Sequence, residues 1–263
     1  MAHPFLVQNC PVWYDLLPLH QPITLPGAGA PGDVYILSGL ERERLRFRDV
    51  RLAAAFTAQD TAGRWWRVRL EGDGQAEARV RVFEPWAAPE PPAAITLMCA
   101  VLARERMFGV IQKATELGVM RIQPVITERS LAGEEALARE KAYRWPAVAL
   151  RAVRQCRRAV VPEVAPVVPL VEALRQPWWC AADLRFYLDL DTAPEARAAA
   201  PEVRAVLLCA GPEGGWTPAE RGVLAAAGAV PLALGGRVLR AETAALVGLA
   251  LVMARWGDLA PGW

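Results

Sequence analysis

The stretch AGPEGGWTPAE, residues 210–220, lies between an apolar run and the start of a helix. The run before it, VLLC at 206–209, is typical of a buried strand in a parallel sheet. The tetrapeptide TPAE at 217–220 has the pattern of a capping box with proline at the first helical position. The stretch therefore predicts a glycine-rich turn at the carboxyl edge of a parallel sheet, where ligands bind in open α/β folds.

A second glycine-rich turn follows closely. Residues 234–243 read LGGRVLRAET and join a short apolar run at 229–234 to an apolar helix at 242–256. Glycines in such turns permit positive φ angles and let backbone amides approach a ligand. A single turn of this kind is most simply structural, but two consecutive ones at the same sheet edge indicate one shared pocket. Two ordinary turns are the alternative interpretation.

Several common kinds of site are excluded. Neither turn contains the GxGxxG pattern of a dinucleotide site or the GK[ST] ending of a phosphate loop. The only histidines are His3 and His20, so the last two thirds of the chain hold no Ser-His-Asp triad and no HExxH site. None of the five cysteines has CxxC spacing, so we expect neither a metal site nor a disulfide framework.

In the sequence before these two turns, apolar runs alternate with helical patterns. We predict strands at 94–102, 121–126 and 203–209, and a helix at 105–117. Residues 134–158 are mostly helical in pattern, with Pro146 marking a break or a new first turn. This order predicts an α/β domain with a mostly parallel sheet.

A proline-rich stretch at 84–92 divides the chain and reads as a linker. Before it, short runs at 49–56, 65–70 and 79–83 are bounded by turn residues and favour strands. The sequence therefore predicts a small β-rich domain at 1–87 and an α/β domain at 93–263.

Composition and hydropathy predict a cytoplasmic protein. The longest uncharged apolar run near the end, residues 244–254, is too short for a membrane span, which needs about 20 residues. The opening residues MAHPFLVQNC lack a basic segment followed by an apolar core, so we expect no signal peptide.

Basic side chains are concentrated in one segment. Residues 139–158 hold seven basic residues and one acid, although the formal net charge of the chain is only +2. A solvated helix face is the usual explanation, and a phosphate-binding face is the competing one. Lys113, one of two lysines, could pair with Glu116 on a helix surface or have a specific role.

Three segments resemble those of one family. IQKATELGVMRIQPVITERS (111–130), AGPEGGWTPAE (210–220) and LGGRVLRAETAAL (234–246) resemble the bacterial 16S rRNA uridine-N3 methyltransferases of the SPOUT superfamily. The resemblance implies a SPOUT α/β domain with a C-terminal trefoil knot, preceded by a small PUA-like β-barrel domain that binds RNA. It implies S-adenosylmethionine as cofactor, 16S rRNA of the small ribosomal subunit as substrate, and a homodimer. It implies no metal and no membrane.

The resemblance points to the cofactor loops, and loop position and charge suggest the remaining roles. The cofactor loops correspond to Leu208, Gly211, Pro212, Glu213, Gly214, Leu234, Gly235, Val238, Leu239 and Thr243. Because uridine N3 must lose a proton before it attacks a methyl group, a cation near O2 or O4 would stabilise the anion, and Arg240 is the candidate. Glu242 could orient Arg240, accept the proton or cap the helix. The candidates for RNA contacts are Lys113, Arg129, Arg154 and Arg158.

The chain departs from the family pattern at three positions. Phe108 replaces an acid that many relatives carry after the methionine. In the basic helix, Arg154 and Arg157 replace the acid and the glycine of a Glu-Gln-Ser/Cys-Gly-Arg pattern. Two alternatives stay open: another SPOUT RNA methyltransferase acting on ribose 2′-O, and a non-catalytic RNA-binding or ribosome-assembly protein.

Overall fold

The computed structural model describes residues 17–87, 89–190 and 203–259. The opening decapeptide, with His3 and Cys10, lies outside these ranges. By their internal contacts the described residues form two units. The first holds residues up to Glu90 together with Val153–Val161, and the second holds the rest.

The first unit is built on a curled, mainly antiparallel five-stranded sheet. Its strands lie in the order β1, β3, β4, β5, β2, and only the β1–β3 pairing is parallel. Alternate residues of β4, Trp66, Val68 and Leu70, point into its core. The elements are β1 (Ile23–Thr24), β2 (Val34–Ser38), α1 (Gly39–Phe47), β3 (Ala55–Gln59), β4 (Trp65–Asp73) and β5 (Glu77–Trp86).

Two predictions for this unit were wrong in detail. The strand predicted at 49–56 begins only at Ala55, because Asp49 and Ala53 have left-handed φ angles of 49° and 66°, which break an extended run. Part of the predicted linker is strand, since β5 continues through Pro85 to Trp86. Proline is tolerated there because Pro85 pairs with β4 alone, as on an edge strand.

The second unit contains a parallel sheet, which confirms the predicted α/β class. Its strands lie in the order β12, β10, β11, β6, β7, β8, with β9 also pairing to β7. Every one of these pairings is parallel. The strands are β6 (Ala94–Ala100), β7 (Arg121–Ile126), β8 (Glu163–Val164), β9 (Val168–Pro169), β10 (Leu184–Leu188), β11 (Ala205–Ala210) and β12 (Val230–Leu232).

The helices follow the predicted alternation. Pro146 lies in the first turn of α4, as its position in the basic segment predicted, after a short 3-10 turn at Ala142–Arg144. The helices are α2 (Arg104–Glu116), α3 (Glu134–Arg139), α4 (Trp145–Cys156), α5 (Leu170–Ala173), α6 (Pro177–Ala181), α7 (Pro218–Ala226) and α8 (Ala241–Trp256).

The core of the second unit lies against its central strands. Met107, Val110 and Ile111 of α2 are fully buried there. Across the core, α8 approaches the sheet closely at Gly248, where an added Cβ would lie 2.9 Å from Leu188 Cδ2. In the part of the chain that the structure describes, no helix is long and apolar enough to cross a membrane.

Candidate active site

The predicted pocket lies where three neighbouring strands of the parallel sheet end. β10 runs between β11 and β12, and all three are parallel, so their carboxyl ends meet at one edge. The segments that follow these strands surround a cavity of about 270 Å³. Residues 188–190, 211–216 and 237–239 form most of its wall.

The first glycine-rich turn folds around a tryptophan. A Cβ atom added to Gly211 would lie 2.9 Å from Trp216 Cε2, so only glycine fits at this approach. The Trp216 side chain is buried, and its Nε1 donates to the backbone oxygen of Leu188 at 3.1 Å. Trp216 therefore fixes the turn after β11 to the end of β10.

The predicted capping box is confirmed and reaches further than the helix. Thr217 N donates to Glu220 Oε2 at 2.9 Å, and Glu220 N donates to Thr217 Oγ1 at 3.3 Å. The second carboxylate oxygen of Glu220 accepts from Glu128 N at 2.8 Å. One glutamate thus starts α7 and holds the segment after β7 against the glycine-rich turn.

Arg129, a predicted RNA contact, supports the same turn. Its guanidinium donates to the backbone oxygen of Gly214 at 2.7 Å. A Cβ atom added to Gly214 would lie 3.1 Å from Arg129 Cδ, so the arginine stem packs along the turn. The Arg129 side chain is nevertheless exposed, which leaves part of it open to solvent.

Two glutamates from different turns meet at Arg106 of α2. The Arg106 guanidinium is hydrogen-bonded to Glu213, and its Nε lies 3.8 Å from Glu242 Oε1. The hydrogen bond from Arg106 to Glu213 raises the pKa of this guanidinium above its usual range. Glu242 Oε2 is buried and has no hydrogen-bond partner among the described residues. Sequence reasoning missed Arg106, because its distance along the chain from both turns gives no local signal.

Another ion pair, which lies in the cavity wall, was also not predicted from the sequence. Asp189 follows β10 and lies 3.3 Å from Arg221 of α7, measured between Oδ2 and Nε. Strand β10 itself was not predicted from the sequence. The carboxylate at its end therefore could not be placed at the sheet edge.

Arg240, the predicted catalytic cation, precedes α8 at its N-cap position. Its backbone oxygen accepts from Ala244 N at 2.8 Å, while the side chain is exposed. Within the described residues its guanidinium forms no ion pair or hydrogen bond. A positive charge is therefore held beside the cavity with its donors unused.

Most predicted cofactor residues meet at the cavity, and some do not. Leu208 is buried within β11, and Gly235 and Thr243 are exposed outside the wall. Lys113 pairs with Glu116 at 2.9 Å, the local interaction that its spacing allowed. The predicted residues that line the cavity are Gly211, Pro212, Glu213, Gly214, Leu234, Val238 and Leu239.

The last two predicted RNA contacts belong to the first unit. Arg154 is half exposed and lies 2.7 Å from Asp49. Arg158 is buried and paired with Glu90 at 2.6 Å. Its guanidinium thus already has an anionic partner.

The lining of the cavity suits a nucleoside. Leucine and valine side chains provide apolar walls for a flat ring, and the glycine-rich turn offers backbone groups. Asp189 and Glu213 add carboxylates that can accept hydrogen bonds from ribose hydroxyls or face a cation. Among the described residues no cluster of three or more His, Cys, Asp or Glu side chains could hold a metal ion.

Comparison with known proteins gives matches over most of the chain. The model of the family described as RNA methyltransferase domain matches residues 89–253. Ribosomal RNA small subunit methyltransferase E from Mycobacterium bovis is 33% identical over 241 residues, which cover 89% of this chain and 91% of the relative. The protein of the same name from Synechocystis is 32% identical, covering 76% of this chain and 65% of the relative.

Solved structures are similar over both units. The crystal structure of ribosomal RNA small subunit methyltransferase E from Neisseria gonorrhoeae, bound to S-adenosyl methionine, is 30% identical with a TM-score of 0.65. It is matched over 92% of this chain and 100% of that one. A putative methyltransferase from Legionella pneumophila, in complex with the bound cofactor, is 30% identical with a TM-score of 0.64, and the match covers 91% and 100% of the two chains.

Proposed function

The chain belongs to the RNA methyltransferase family that includes ribosomal RNA small subunit methyltransferase E, and we propose that it methylates N3 of a uridine in 16S rRNA. S-adenosylmethionine is the proposed donor. The observation that carries this proposal is the convergence of both glycine-rich turns on one cavity at the carboxyl edge of the parallel sheet. Relatives crystallised with this cofactor support the choice of donor.

The cofactor is proposed to lie between the two turns. Leu234, Val238 and Leu239 would pack against its adenine, while Asp189 or Glu213 would accept hydrogen bonds from ribose hydroxyls. Leu208, Gly235 and Thr243 would then support the walls from outside the cavity. The bound cofactor supplies an activated methyl group, so the protein mainly has to align donor and acceptor.

The chain's own residues would provide the acid–base chemistry. We assign Arg240 to the developing negative charge on the uracil ring. Its donors are unused among the described residues, and it stands between Leu239 and Ala241, which line the cavity. We assign Glu242 to the N3 proton, since its Oε2 atom has no hydrogen-bond partner among the described residues. Arg106 would position Glu242 and Glu213 together.

Further family features belong to the same proposal. A trefoil knot around the cofactor, a PUA-like first domain and a homodimer are expected of this family. Two exposed apolar residues of α8, Val247 and Leu251, lie one turn apart and support a subunit interface on that helix. The proposed contacts for 16S rRNA of the small subunit, in the cytoplasm, are Lys113, Arg129, Arg154 and Arg158.

The direct test is a methyl-transfer assay. The protein is incubated with labelled S-adenosylmethionine and small ribosomal subunits that lack the modification, and the rRNA nucleosides are then separated. Label in 3-methyluridine is the expected result. Label in another nucleoside, or none despite cofactor binding, would contradict the proposed target atom or the proposed activity.

Arg240→Ala tests the catalytic assignment in the same assay. We expect turnover to fall by a factor of about 100 or more, while the dissociation constant of the cofactor changes little, because Arg240 acts on the uracil. Arg175→Ala is the control, since Arg175 is an exposed arginine of the same unit outside the cavity wall. Equal turnover by the two variants would refute the role of Arg240.

A further inference from the structure

The first unit holds a cavity of its own, formed largely by arginines. Its volume is about 390 Å³, and every residue of its wall belongs to this unit. Six arginines line it, against a single acid, Asp49. These arginines are Arg48, Arg51, Arg67, Arg154, Arg157 and Arg158.

Three of the six cations already have partners. Arg158 is buried and paired with Glu90, and Arg154 is paired with Asp49. Arg48 donates to backbone oxygens, including those of Leu19 and Ala159, each at 3.0 Å. Burial lowers the pKa of Arg48 to about 10, and the hydrogen bonds of its guanidinium go to backbone oxygens.

Arg67 is the unusual member of the group. Only 6% of the residue is exposed, and its Nη1 donates to the neutral Thr57 Oγ1 at 2.7 Å. Its guanidinium carbon lies 5.6 Å from the centre of the Trp86 ring. Glu84 stands opposite Arg67 on β5 and acts on its charge, but within the described residues no carboxylate lies within ion-pair distance of Arg67. A buried cation without an anionic partner is unfavourable, and an anion entering the cavity would offset that cost.

Arg157 adds a second cation that has no carboxylate partner among the residues the structure describes. Its guanidinium carbon lies 5.1 Å from the centre of the Trp86 ring, and its backbone oxygen accepts from Thr57 Oγ1 at 2.7 Å. The residue has a left-handed φ of 64°, which glycine adopts far more easily than arginine. Arg157 thus combines an unfavourable backbone conformation with an exposed side chain beside Arg67.

We propose that this cavity binds a phosphate group of the RNA strand, held by Arg67 and Arg157, with Arg51 at the exposed side. Arginine suits this task because its planar guanidinium can donate two parallel hydrogen bonds to phosphate oxygens. The charge and burial of the site call for an anion, whereas the choice of RNA as its source rests on the proposed function.

The test measures binding rather than catalysis. A short fluorescein-labelled oligouridylate is titrated with the full-length protein at several salt concentrations, and anisotropy reports the affinity. We expect Arg157→Gly to weaken binding roughly five- to tenfold and to reduce the slope of log K against log salt by about 0.7, the value for one phosphate contact in a single strand. Arg67→Met should act in the same direction.

Two controls separate this site from general charge loss. Arg79→Ala removes an exposed arginine of the same sheet that does not line the cavity, so it should leave affinity and slope nearly unchanged. Arg157→Gly relieves the left-handed strain, and its melting temperature should not fall. Inorganic phosphate, compared with chloride at equal ionic strength, should compete with the RNA in wild-type protein and much less in the variants.

Several outcomes would overturn the proposal. One is that Arg157→Gly and Arg67→Met both bind RNA with the affinity and salt slope of the wild-type protein. Another is that Arg79→Ala loses as much RNA affinity as these two variants. Phosphate uptake in the cavity with unchanged RNA binding would refute RNA as the ligand. Because the oligouridylate assay requires no methyl transfer, a wild-type protein that binds RNA without methylating it would contradict the proposed function alone.

Discussion

At the level of single residues, Trp216 organises the candidate active site. Its ring occupies the space that any side chain at position 211 would need, and its Nε1 joins the turn to Leu188. The backbone of the glycine-rich turn is therefore determined by a buried aromatic ring, and its amide groups are fixed before a ligand arrives. Such preorganisation favours tight binding because less freedom is lost on association.

Gly211→Ala tests this arrangement. The added methyl would lie 2.9 Å from Trp216 Cε2, so either the ring or the turn must shift. We expect the affinity for S-adenosylmethionine to fall about tenfold or more by isothermal titration calorimetry. Gly222→Ala is the matched control, because nothing lies within 4 Å of its added Cβ on α7 and alanine favours a helix. If Gly211→Ala bound S-adenosylmethionine with unchanged affinity, the close contact between Gly211 and Trp216 would not be needed for cofactor binding.

At the level of elements, a buried aspartate holds the turn between β3 and β4. Asp60 accepts hydrogen bonds from Gly29 N at 3.0 Å and from Arg64 N and Trp66 Nε1, both at 2.9 Å. Burial alone would raise the pKa of Asp60, but these donors lower it to about 2. The carboxylate is therefore stabilised in the folded state relative to an unfolded chain, in which its pKa is about 3.9.

This shift predicts how stability depends on pH. Because the folded-state pKa is lowered, the contribution of Asp60 is fully present above pH of about 4 and is lost as the pH falls towards 2. Asp60→Asn should lower the free energy of unfolding by about 2 kcal/mol at pH 7. It should also make the fall in this free energy between pH 4 and 2 smaller than in the wild-type protein. Urea unfolding followed by tryptophan fluorescence measures both effects. Glu77→Gln, an exposed position on β5, should change neither.

Some elements were predictable and others were not, for identifiable reasons. β7 was predicted to its exact bounds and α8 nearly so, because the local sequence marks each of them as a largely apolar run. β10 was missed, since its sequence LRFYL is short and carries a charge. The glycines of the cavity were found from turn chemistry, whereas Arg106, Asp189 and Trp216 each make contacts with residues far away in the sequence.

At the level of the whole molecule, two ligands are proposed for two units. The cavity for the cofactor is lined only by residues of the second unit, and the arginine cavity only by residues of the first. A ligand that binds the native state makes local unfolding less frequent, and the effect is strongest near its binding site. The two ligands should therefore leave separate footprints along the chain.

Hydrogen exchange measures these footprints. S-adenosylmethionine should slow exchange in peptides covering residues 211–217 and 234–244, while oligouridylate should slow it at 48–57 and 153–158. At a fixed oligouridylate concentration, Arg157→Gly should weaken only the second footprint. Protection of 48–57 by the cofactor alone would contradict the separate assignment of the two sites.

The first unit is discontinuous in sequence, since it contains residues up to Glu90 and returns at Val153–Val161. The carboxylate of Glu90 is buried and accepts from Arg158, Ala159 N and Val160 N, all of them in the returning segment. During synthesis on the ribosome, the first ninety residues therefore emerge long before the partners of Glu90 exist. Until residue 161 has left the exit tunnel, the Glu90 carboxylate lacks the donors that it has in the folded protein. A gene fragment ending at the proline-rich stretch would encode a chain in which Glu90 never gains these donors.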